Sequence, residues 1–93
     1  MELKLHNREE LMKCFINRLK EELIDIDTYN TLYESLKAHG MYDDAAEIEE
    51  IARDEFEHAE TLHEILEEHG HDVSNEQDIA ALWHKAKSAF HLT

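Results

Sequence analysis

Proline is absent from this chain, glycine occurs twice and cysteine once. Without proline nothing in the sequence forces a helix to break, so long uninterrupted helices are expected, with the two glycines as their stops. A lone Cys14 cannot close an intrachain disulfide, which excludes a disulfide-held scaffold and suits a reducing, cytoplasmic setting. No apolar run approaches the roughly 18–20 residues needed to cross a bilayer, and the first residues carry no hydrophobic signal-peptide core, so no membrane role is expected. Cations are also scarce. The chain has 9 Lys and Arg against 23 Asp and Glu, a net charge of −14 over 93 residues. Such a surface repels phosphate backbones and excludes nucleic acid as a partner.

What is present is enough to fold. At 42% hydrophobic residues the chain is too apolar for a disordered acidic tail and long enough for one small domain. Gly40 follows Leu36-Lys37-Ala38-His39 and Gly70 follows Leu66-Glu67-Glu68-His69, each in the position of a glycine just past a helix C-terminus. The expected class is all-α: helix 1 over about residues 8–39, helix 2 over about 43–69 and a shorter helix 3 over about 75–91. Ser74 and Gln77 read as the two halves of a capping box for helix 3. Ile79, Leu82, Trp83, Ala86 and Phe90 recur at helical spacing, so helix 3 should lie against another surface.

Placing side chains at 100° per residue exposes an anomaly on both long helices. With Phe15 at zero, Leu19, Ile26, Tyr29 and Tyr33 form an apolar stripe, and Glu22 falls inside it at about −20°. With Glu55 at zero, Ile48, Ile51, Ala59, Leu62 and Leu66 surround it, and His58 sits on the edge of the same face at about −60°. Glu57 points to the far side, as a solvated charge would. Burying one unpaired carboxylate is costly, and here two are centred. Lys20 and Arg53 point elsewhere on the wheel, so the ordinary alternative of seam carboxylates paired with buried cations is not expected. The remaining histidines, His6, His39, His63, His69, His71, His84 and His91, are expected to be exposed or at helix ends; His69, His71 and Asp72 form a secondary candidate for holding a metal.

A Glu-x-x-His pair plus a second inward glutamate is half the ligand set of a carboxylate-bridged dinuclear site in a four-helix bundle. Two copies of a two-helix hairpin would complete both the bundle and the site, and a lone hairpin of this size leaves its apolar stripe half uncovered. The metal ligands are therefore expected to be Glu22, Glu55 and His58. Oxygen and imidazole donors without sulfur suit Fe(II), Mn(II) or Zn(II). Counted outward from the Gly40–Met41 turn, the two glutamates differ in height by about 4 residues, or ~6 Å.

On Glu21-Glu22-Leu23-Ile24-Asp25-Ile26-Asp27-Thr28-Tyr29 and Asp54-Glu55-Phe56-Glu57-His58-Ala59, the chain resembles the ferritin-like superfamily, and within it the half-ferritin branch of encapsulated ferritins. The resemblance covers roughly residues 8–69. It implies that Glu22, Glu55 and His58 are iron ligands, with Tyr29 beside them, in a homodimer holding two iron ions. It further implies ferroxidase activity, the oxidation of Fe(II) by dioxygen for iron storage. Oligomers built from dimers, carried as cargo inside an encapsulin shell, are also implied. The alternatives are a rubrerythrin-like di-iron peroxidase and a non-enzymatic acidic helical adaptor.

Overall fold

The computed structural model describes residues 7–73 and 76–90. It contains three helices and, among the described residues, no strand: α1 (Arg8–Ala38), α2 (Tyr42–Glu68) and α3 (Gln77–Phe90). The ends expected for the two long helices agree with these to within one residue, and the ends expected for helix 3, residues 75 and 91, lie outside the described residues. Ser74, His6 and His91 lie outside the described residues, so the capping role expected of Ser74 and the exposure expected of the two histidines are not described.

Local chemistry sets the ends of the hairpin. The Asn7 side chain accepts a 2.8 Å hydrogen bond from the Glu10 amide, capping α1, and Glu9 and Glu10 place negative charge on its positive end. Both long helices finish in the same way. Gly40 and Gly70 hold φ of 74° and 81°, the left-handed conformation that glycine adopts without a Cβ penalty. The Gly40 and Met41 amides donate to the Lys37 and Leu36 carbonyls, and the Gly70 and His71 amides to those of Glu67 and Leu66. These are paired Schellman closures.

The seam between α1 and α2 follows alternating steps of three and four residues. On α1 it runs through Met12, Phe15, Leu19, Glu22, Ile26, Tyr29, Tyr33 and Leu36, and on α2 through Ala45, Ile48, Ala52, Glu55, Ala59, Leu62 and Leu66. This is the repeat that keeps two helices in contact over their whole length. Leu19, Leu23, Ile26 and Leu66 are fully buried, each contributing about 1.5–3 kcal/mol from burial alone. Ala45, Ala52 and Ala59 are buried on the α2 side, and their small side chains let the two backbones approach closely.

α3 runs parallel to α1 and antiparallel to α2. Lys20 pairs with Asp78 at 3.6 Å and Asp27 with Lys85 at 2.7 Å, so residue numbers rise together along α1 and α3. Toward α2 the order reverses, with Phe56 on Phe90 and His63 on Trp83. Ile79, Ala86 and Phe90 are buried, and Leu82 and Trp83 pack against the core, as the spacing predicts. α3 therefore covers one flank of the hairpin. Among the described residues the other flank stays open, with Leu11, Cys14, Phe15, Arg18 and Leu62 lining an apolar groove of about 260 Å³.

Candidate metal centre

Glu22 and Glu55 both occupy seam positions, so the packing that buries the neighbouring leucines and alanines also carries these carboxylates inward. Glu22 is 3% exposed, the one buried charged residue among those described. Glu55 is half-buried, and His58, at the rim of the open flank, is largely exposed. One ligand atom from each of Glu22, Glu55 and His58 lies within 4.8 Å of the others, and no second group of three such side chains converges among the described residues. His58 Nδ1 is 3.6 Å from Glu55 Oε1 and 3.9 Å from Glu22 Oε2.

The difference in height expected from counting out of the turn does not separate the ligands. The pairing is offset, with the Arg8 guanidinium donating to the His69 carbonyl and Glu22 meeting His58. The Arg8–His69 and Glu22–His58 contacts centre at or just before Gly40, and the long glutamate side chains close what is left.

No buried cation is expected beside these acids, and the cation that does reach one of them is a largely exposed arginine. Lys20 and Arg53 do pair elsewhere, with Asp78 and Glu49. Arg18, one turn before Glu22, instead turns back so that its Nη2 donates to Glu22 Oε1, while Nη1 lies 3.7 Å from Glu21 Oε2. The spacing of four residues between Arg18 and Glu22 was the available signal. One carboxylate oxygen is thereby satisfied. The other, Glu22 Oε2, is buried without a hydrogen-bond partner, and such orphaned oxygens are rare in folded proteins.

Glu55 responds to that neighbour. Its pKa is pushed up to about 7, first because a proton on Glu55 would hydrogen-bond Glu22, then through partial burial and the Glu22 charge, with His58 acting in the opposite direction. Without a metal, a proton on Glu55 relieves its repulsion from the Glu22 charge. The donor set fits a divalent metal on the same grounds: the orphaned Oε2, a second carboxylate short of positive charge and an imidazole face one point.

Tyr29, expected beside the ligands, packs half-buried against the core. It lies two turns beyond Glu22 on the same seam of α1. The exposure expected of His63 is corrected. It is not exposed but lies flat on Trp83 with ring centroids 4.4 Å apart and bonds Glu67 at 2.9 Å. His39 and His69 cap the two long helices, as expected. His69, His71 and Asp72 do not converge as a metal group. Cys14 is free and exposed. No protein-family model, curated protein or solved structure matches the chain.

Proposed function

We propose that the protein binds divalent metal through Glu22, Glu55 and His58 and, as a homodimer joined at the open flank, oxidises Fe(II) with dioxygen at a dinuclear site. The observation that carries this reading is the buried Glu22 Oε2, which has no hydrogen-bond donor and faces Glu55 and His58. Three ligands on one chain leave a metal's shell open, and a second copy would add the same three from the opposite side. The groove lined by Leu11, Phe15 and Leu62 supplies apolar surface for that contact beside the ligands.

Fe(II) is the substrate in this reading. Two Fe(II) ions each give up one electron, and one dioxygen with two protons becomes hydrogen peroxide. Glu22 and Glu55 supply the negative charge that favours the higher oxidation state, and His58 supplies a neutral nitrogen at the solvent edge. The seam side chains exclude water from one side, which strengthens every charge interaction at the site. The surface charge of −14 raises the local Fe(II) concentration, an effect that added salt weakens.

Anaerobic Fe(II) titration followed by oxygen admission tests the proposal. It requires about one Fe(II) per chain, in line with two shared by two chains, oxygen uptake on admission, and loss of both in Glu22→Gln and Glu55→Gln. Faster consumption of hydrogen peroxide than of dioxygen would move the assignment to a di-iron peroxidase. The Arg18–Glu22 ion pair favours a second reading, in which Glu22 is a seam carboxylate neutralised within α1 of a non-enzymatic adaptor. That reading requires no metal uptake and unchanged partner binding in Glu55→Gln.

A further inference from the structure

Arg18 is poorly explained as a structural residue alone. A pair with the basic residue four positions ahead of the acidic one is the less favourable order on a helix, and the Arg18 side chain is 54% exposed, so its own burial contributes little. Its two guanidinium nitrogens divide between neighbours of different kinds. Nη2 reaches inward to the buried Glu22, and Nη1 lies near the exposed Glu21 at 3.7 Å. The fork straddles the boundary between seam and solvent, with one carboxylate on each side.

We propose that Arg18 is the counter-ion of the metal-free site, holding Glu22 until a divalent cation takes its place and then retiring to Glu21. This rests on the metal reading above. The guanidinium and a cation shared by Glu22, Glu55 and His58 compete directly. A metal that uses both Glu22 oxygens competes with Nη2 for the charge on Oε1, and one that uses Oε2 alone still lies beside the positive guanidinium. In both arrangements Arg18 opposes metal binding, and Glu21 decides how readily it leaves. The arginine thus stabilises the empty bundle and sets the metal concentration at which the site fills.

Zinc titration by calorimetry on the full chain tests this, together with thermal melts without metal. Arg18→Gln is expected to bind Zn(II) roughly tenfold more tightly, because a like charge has been removed from beside the cation, and to melt at a lower temperature when metal-free. Glu21→Gln, which removes the retreat position, is expected to bind several-fold more weakly, as loss of one exposed charge partner implies. The double variant should match Arg18→Gln, because without the arginine Glu21 has nothing to receive. Arg18→Lys, which keeps the charge but loses the fork, should fall between Arg18→Gln and the parent, and it carries the comparison should Arg18→Gln not fold without metal. Zinc binding by the parent with no gain on removing the arginine overturns this inference alone. No zinc binding by the parent overturns it together with the metal reading.

Discussion

The raised Glu55 carboxyl gives the metal-free protein a defined pH response. Glu55 is raised from 4.5 to about 7, so the folded state holds the Glu55 proton more tightly than the unfolded chain does. The stabilisation is fully present below about pH 4.5 and is lost as pH rises through about 7, a contribution on the order of 2–3 kcal/mol. Chemical denaturation of metal-free protein across that window should show the parent losing stability with rising pH and Glu55→Gln losing less. In Glu22→Gln the Glu55 carboxyl should titrate closer to its ordinary value, because the neighbouring charge is gone and the amide can donate to the ionised carboxylate; carboxyl carbon NMR reads this directly. The acids themselves were legible in the sequence, because a carboxylate at the centre of an apolar stripe is visible on a helical wheel. Arg18 was legible in principle, by its spacing from Glu22, but a wheel displays angle and hides how far a long side chain folds back along the axis.

At the level of helices, the two glycines do what their positions promise. Nothing lies within 4 Å of a Cβ added at Gly40 or Gly70, so the cost of Gly40→Ala is that of the left-handed backbone alone, about 1 kcal/mol. Denaturant melts should find that loss at either glycine, with site geometry unchanged. The attachment of α3 rests mainly on rings. Phe56 lies 5.7 Å from Trp83 and 5.3 Å from Phe90, whereas its ion pairs with α1 are largely exposed and worth about 0–1 kcal/mol each. Phe56→Ala should cost about 2–4 kcal/mol and shift Trp83 fluorescence to the red, while Lys85→Ala leaves the emission in place. The existence and apolar face of α3 followed from spacing. Its direction did not, because a wheel identifies the face that seeks cover without naming the flank that receives it; that choice falls to Leu23 and Ile26 on α1 and Phe56 on α2, which are set only once the hairpin has closed.

For the whole molecule, like charge opposes pairing. Four glutamates brought together at a two-fold axis without metal would repel, so sedimentation should give a weaker dimer in the metal-free protein and a tighter one with Fe(II) under anaerobic conditions. An association constant indifferent to Fe(II) would place the ligands of each chain in separate sites. The hairpin was legible because its seam is local and repetitive. The second copy is only implied, since one chain's sequence records an uncovered face and says nothing of what meets it. The one-sided placement of α3 bears on how such an assembly ends. A hairpin bare on both flanks could stack indefinitely, each subunit offering fresh adhesive surface to the next. Among the described residues α3 dresses one flank, and a face-to-face embrace through the other would consume it on both participants. Growth by that route is self-limiting at a pair.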